Sequence, residues 1–101
     1  MQEATLKKTS PAIEIALSGE IDSKNADEFE SEVLAVYNAA PADVAFDCKE
    51  LSFIDSTTLG GFVKILKHVR EGGHAMRLFN LQPRIKKLFV ICALDAIMEI
   101  E

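Results

Sequence analysis

A polar knot, Asp55-Ser56-Thr57-Thr58, separates two stretches of opposite habit. Before it, Val44-Ala45-Phe46-Asp47-Cys48 reads as a buried strand, joined to the knot by Leu51-Ser52-Phe53-Ile54. After it, Leu59, Phe62, Val63, Leu66 and Val69 fall on one face of a helix running to about Glu71. The chain must therefore leave a sheet and enter a helix across residues rich in side-chain oxygens. Such oxygens accept from the unpaired N–H groups of a first helical turn, so a cap alone accounts for the composition of the knot.

The flanking segments extend this into an α/β pattern. Ile13, Ile15 and Leu17 alternate with Glu14, Ala16 and Ser18, as in a strand with one buried face. Thr5 to Lys8 is weakly signalled as an edge strand, with Pro11 at a turn between two antiparallel strands. Gly19-Glu20-Ile21-Asp22 leaves the Ile13 strand, and Asp22 or Ser23 is placed to cap a helix from about Asn25 to Ala39. Ala26, Phe29, Val33, Val36 and Tyr37 form its apolar face. Its acidic first half suits the helix dipole, and Pro41 closes it.

Asp47 is expected near the exposed end of the Val44–Cys48 strand. Gly72-Gly73 ends the second helix. Ala75 to Phe79 makes a further strand and completes a βαβ unit. Pro83 opens a last helix with Ile85, Leu88, Phe89 and Cys92 inward, and Ala96 to Ile100 forms a short terminal strand. The expected fold is α/β: one domain over residues 1–101, a mixed sheet of about four or five strands with helices packed on it.

Hydrophobic residues make up 49% and charged residues 27% of the 101, an ordinary globular balance that supports one core. The net charge of −5 argues against direct nucleic-acid binding. No apolar run approaches the ~20 residues of a membrane span, and no leader-like h-region opens the sequence. Cys48 and Cys92 both lie in apolar segments and read as buried thiols. These features place the chain in the cytoplasm without membrane insertion.

Catalytic signatures are missing. No phosphate-binding loop or dinucleotide fingerprint occurs, and Ser56 is not in a G-x-S-x-G elbow. His68 is expected on an exposed helix side and His74 in a turn, neither as a catalytic base. Two His and two Cys have no metal-ligand spacing, so no metal and no cofactor is expected. Gly60-Gly61 is open to two readings, a phosphate nest or a device for close helix–sheet packing, with the second favoured. A receiver domain phosphorylated on Asp47 fits poorly. Glu20 and Asp22 are not adjacent, and the chain is short for a five-fold βα repeat.

The knot D-S-[ST]-x-L-G, here Asp55-Ser56-Thr57-Thr58-Leu59-Gly60, together with the upstream G-E-[IL]-D, here Gly19-Glu20-Ile21-Asp22, resembles the STAS domain. More narrowly, it resembles the bacterial anti-sigma-factor antagonists. The likeness covers nearly the whole chain. It implies a phosphorylatable protein-interaction switch and not an enzyme. The serine after the aspartate, Ser56, would be phosphorylated by an anti-sigma factor with serine kinase activity and restored by a serine phosphatase. Unmodified, the chain would bind that anti-sigma factor and so release a sigma factor for transcription.

Asp22, Asp55, Ser56, Thr57 and Thr58 are the implied partner-binding residues. Where the family commonly has glycine two positions after the phosphoacceptor, this chain has Thr58. The resemblance also admits a STAS accessory subunit of a transport or signalling complex that works without phosphorylation.

Overall fold

The aromatic residues Phe29, Phe46, Phe62 and Phe89 come from four separate elements and meet in one continuous ring contact, with centroids 5.2–6.1 Å apart. The computed structural model describes residues 12–101. Their elements run β1 (Ile13–Ile21), α1 (Ala26–Ala39), β2 (Val44–Ile54), α2 (Ser56–Glu71), β3 (Met76–Phe79), α3 (Pro83–Ile91), a 3-10 turn (Leu94–Ala96) and β4 (Glu99–Ile100). The strands lie in the order β1-β2-β3-β4, and every pairing among the described residues is parallel. The expected edge strand Thr5–Lys8 and the turn at Pro11 lie outside those residues.

Helices cover the sheet face that carries Phe46 and Leu78. Val44, Phe46, Cys48, Leu51 and Ile54 of β2 are buried there beside Met76 and Leu78 of β3. Helix α1 adds Ala26, Val33 and Tyr37, α2 adds Leu59, Phe62, Ile65, Leu66 and Val69, and α3 adds Ile85 and Phe89. The sets repeat at three, four or seven residues, the spacing of one helical face, so burial of the stripe, more than intrinsic propensity, holds these helices.

Several sequence expectations are corrected. Strand β2 does not stop at Cys48 but continues through the supposed link to Ile54. Lys49 and Glu50 are both exposed between the buried Cys48 and Leu51, so alternation fails there. The register with β1 shifts at two points, between Ala16 and Ser18 and between Gly19 and Glu20. Such irregularities bend a strand and re-aim its residues. Gly19 sits at the second shift with φ 72°, a conformation that costs glycine nothing. Asp47 therefore lies mid-strand, beside Ala16 and Phe79, where its carboxylate accepts from the Lys49 amide and Asn80 Nδ2 at 3.1 Å each.

Val36 is half exposed, because Tyr37 takes the inward place one turn after Val33. Cys92 is exposed, because α3 ends at Ile91 and the chain turns at Ala93 with φ 60°. Cys48 is the buried thiol, and burial with the nearby Asp47 charge pushes its pKa up to about 12. The terminal strand is only Glu99–Ile100, since the 3-10 turn first folds Met98 into the core. A Cβ on Gly60 or Gly61 would meet nothing within 4 Å, so neither glycine is there for close helix–sheet packing.

Candidate functional site

Parallel pairing of β1 and β2 sets their C-terminal ends side by side, Ile21 opposite Ile54. The two sequence motifs, more than thirty residues apart in the chain, thereby become neighbours at one edge of the domain.

Asp55 is the hub of this neighbourhood. It is the N-cap of α2, with Oδ1 accepting from the Thr58 amide at 3.1 Å, while its own amide approaches Thr58 Oγ1 at 3.4 Å. Together these form a capping box with threonine at the third helical position. The other carboxylate oxygen, Oδ2, accepts from the Ser23 amide at 2.9 Å. Burial pushes the Asp55 carboxyl up. The donors outweigh it, from the Thr58 amide, the Ser23 amide, the Thr58 hydroxyl and the Thr57 amide, and hold the group below the ordinary carboxylate range. Asp55 is thus a fixed anion bridging the start of α2 and the end of β1.

Ser56 and Thr57 follow as the first two residues of α2, both exposed. Among the described residues the Ser56 hydroxyl has no hydrogen-bond partner, while its backbone is already helical. Capping falls to Asp55 and leaves Ser56 chemically unengaged. Thr58 differs from both. It is fully buried, and its hydroxyl donates to the Ile21 carbonyl while lying 3.1 Å from Asp55 Oδ1. Thr58 is therefore corrected from a contact residue to an interior one. A polar residue at the third helical position faces back toward the sheet here, because the end of β1 supplies an acceptor.

Asp22 lies beside the knot and is half-buried, but it caps no helix. Its carboxylate accepts from the Lys24 amide at 2.9 Å, its amide donates to Asn25 Oδ1 at 2.9 Å, and Asn25 Nδ2 donates to the Glu20 carbonyl at 3.0 Å. These bonds close a turn that presents Ser23 and Lys24 outward. Asn25, at the N-cap of α1, makes no side-chain capping bond.

Three residues that sequence reasoning passed over also border the site. Phe53 is 46% exposed, a large apolar ring three residues from Ser56. Ser52 Oγ donates to the Gly19 carbonyl at 3.0 Å, and Arg84 Nη2 donates to the Ser52 carbonyl at 3.3 Å, placing a guanidinium on the same edge. Phe53 carried a signal, since Leu51 and Ile54 turn inward and leave Ser52-Phe53 outside. Arg84 carried none, because only the fold brings the start of α3 to β2.

The histidines stand elsewhere. His68 and His74 set their ring edges against Tyr37, with centroids 5.5 and 5.6 Å away, and Tyr37 Oη lies 2.7 Å from His74 Nδ1. Among the described residues no three His, Cys, Asp or Glu side chains are grouped to hold a metal ion. No helix of the described residues is long and apolar enough to cross a membrane.

The STAS domain family model matches residues 3–101. The chain belongs to the STAS domain family. Among curated relatives, the anti-sigma-B factor antagonist of Listeria monocytogenes is 39% identical over 90 residues, covering 88% of this chain and 78% of that one. The anti-sigma-B factor antagonist of Bacillus subtilis is 33% identical over 95 residues, covering 94% and 86%. Solved structures share the STAS fold. A Thermotoga maritima protein described as an anti-sigma factor antagonist superposes with a TM-score of 0.77 at 24% identity, covering 86% of this chain and 77% of that one. The Bacillus cell fate determinant SpoIIAA in its phosphorylated form gives 0.66 at 22%, covering 87% and 80%.

Proposed function

We propose that this STAS domain is an anti-sigma-factor antagonist. In this reading it binds an anti-sigma factor with serine kinase activity while Ser56 is unmodified, and so frees a sigma factor for transcription. Phosphorylation of Ser56 ends that binding, and a serine phosphatase restores it. The observation that carries the reading is the Ser56 hydroxyl, exposed at the first position of α2 and unengaged within the described residues, beside a fixed Asp55. The identity to relatives named anti-sigma-B factor antagonists supports it. The whole chain acts as the binding unit, in the cytoplasm and by association without turnover.

The contact surface comprises Ser23 and Lys24 on the Asp22 turn, Phe53, Asp55, and the exposed start of α2 at Ser56, Thr57 and Gly60. A phosphate on Ser56 adds roughly −1.5 to −2 charges at pH 7. The α2 dipole favours that charge by up to ~2 kcal/mol. Asp55 opposes it and already occupies the Thr58 amide. These effects offset one another in the free domain. At a partner surface shaped for a neutral hydroxyl, a desolvated dianion faces a penalty, and ~3 kcal/mol there lowers affinity about a hundredfold.

Capture from native lysate with wild-type and Ser56→Ala chains tests the reading, followed by phosphopeptide mapping of the wild-type chain after reaction with the captured kinase and ATP. Recovery of a kinase-like anti-sigma factor and a main phosphate on Ser56 are expected, with little change in melting temperature. Recovery of transporter subunits without a kinase, or a main phosphate on Thr57 or Thr58, overturns it.

A further inference from the structure

Thr58 is the one fully buried polar residue of the described core, and it lies two residues from the proposed phosphoacceptor. Its hydroxyl has three neighbours: the Ile21 carbonyl, Asp55 Oδ1 at 3.1 Å, and the Asp55 amide at 3.4 Å. The single proton faces two acceptors, of which the Ile21 carbonyl is the nearer, and a lone pair remains for the Asp55 amide. No other side chain among the described residues donates to the Ile21 carbonyl at the end of β1. Asp55 completes the path, because its Oδ2 accepts from Ser23, two residues after Ile21. The link is a closed ring: Ile21 to Thr58, Thr58 to Asp55, Asp55 to Ser23, and the chain back to Ile21.

We infer that Thr58 is a positioning residue for the Ser56 switch: its buried hydroxyl fixes Asp55 against the end of β1, so that the Ser23 turn and the Ser56 turn form one rigid surface. The inference rests on the proposed role of Ser56 for its functional consequence, but the ring itself exists in the free protein. A residue without a hydroxyl here leaves the Ile21 carbonyl buried without its donor, and that falls on the geometry of both turns. No hydrogen bond joins Ser56 to Thr58 among the described residues, so the effect on Ser56 runs through Asp55.

The 101-residue chain tests this with Thr58→Val, which keeps the shape and removes the hydroxyl, and Thr58→Ser, which keeps the hydroxyl. Amide hydrogen exchange is followed at Ser23, at Thr58 or its replacement, and at the core residues Phe46 and Leu78. In Thr58→Val, exchange at Ser23 rises about tenfold relative to Phe46 and Leu78, the factor for one buried hydrogen bond of ~1.4 kcal/mol. The Asp55 carboxyl, followed by carbon chemical shift, moves back toward the ordinary range. Thr58→Ser restores both.

Equal acceleration at all sites, or an unchanged Ser23 amide in a folded Thr58→Val chain, overturns the inference, since either outcome makes Thr58 mere packing. A second arm measures initial phosphorylation by the kinase captured with the wild-type chain, with ATP as donor. Thr58→Val lowers the rate severalfold while Thr58→Ser does not; equal rates for wild type and Thr58→Val overturn the functional part. Failure to capture any kinase overturns the proposed function and leaves the exchange result to decide the ring.

Discussion

The Ser23 amide donates to Asp55 Oδ2 at 2.9 Å, across thirty-two residues of chain. That bond unites two surface turns that would otherwise move with separate strands. It also assigns the work of the knot. Asp55 holds backbone groups on both sides, Thr58 is an interior anchor, and Ser56 and Thr57 alone remain open to solvent.

This division predicts unequal costs for neighbouring substitutions. Asp55→Ala removes the N-cap acceptor and the partner of the Ser23 amide, so it destabilises by about 0.5–2 kcal/mol. Ser56→Ala removes a hydroxyl with no partner among the described residues and stays within about 0.5 kcal/mol of wild type. Urea unfolding of the two variants decides the point. A Ser56→Ala cost equal to that of Asp55→Ala shows that Ser56 carries the cap.

The Asp55 carboxyl also makes stability depend on acid in a defined direction. Its folded-state pKa lies below the ordinary 3.8, because backbone and side-chain donors outweigh the effect of burial. The charged form is therefore favoured by folding. Its contribution is fully present above the ordinary value and is lost as pH falls through the lower folded value. Asp55→Asn carries no such titration. The stability difference between wild type and Asp55→Asn, followed from neutral pH downward, shrinks below 3.8 and levels off beneath the folded pKa. A difference independent of pH contradicts a stabilised carboxylate.

The strand-to-helix passage at Asp55 was legible in the sequence because capping is local: an acceptor side chain beside a helical stripe suffices. The cores of α1, α2 and α3 were legible for the same reason, through apolar spacing at Val33 and Tyr37, at Phe62 and Val69, and at Ile85 and Phe89. What escaped depends on pairing between distant strands. The apolar run of β2 ends at Cys48, yet the register shift between Ala16 and Ser18 lets β2 absorb the exposed Lys49-Glu50 and run on to Ile54. Thr58 looked like a surface hydroxyl because its nearby acceptor, Asp55, belongs to the exposed knot and the acceptor that draws it inward is distant in sequence. The acceptor is the Ile21 carbonyl, thirty-seven residues away. Cys92 was misplaced by extending a helical period one residue past Ile91, where α3 ends before the chain turns at Ala93.

The last prediction concerns Gly72, which caps the C-terminus of α2. Its φ is −82°, open to any residue, so backbone conformation does not require glycine there. Space does. A Cβ on Gly72 would lie 2.1 Å from Tyr37 Oη and 3.2 Å from Tyr37 Cζ. Tyr37 is only 3% exposed and cannot simply swing away, and its hydroxyl is engaged with His74 Nδ1 at 2.7 Å. Gly72→Ala must therefore displace the ring or the end of α2, at a cost of about 1–3 kcal/mol. Tyr37→Phe alone loses the His74 hydrogen bond, about 0.5–1.5 kcal/mol. It also vacates the volume that the alanine methyl needs. The double variant should then be less destabilised than the sum of the two singles, by a coupling of about 0.5 kcal/mol or more. Urea unfolding of the four chains measures this coupling. Strict additivity shows that the Tyr37 hydroxyl is not what Gly72 makes room for.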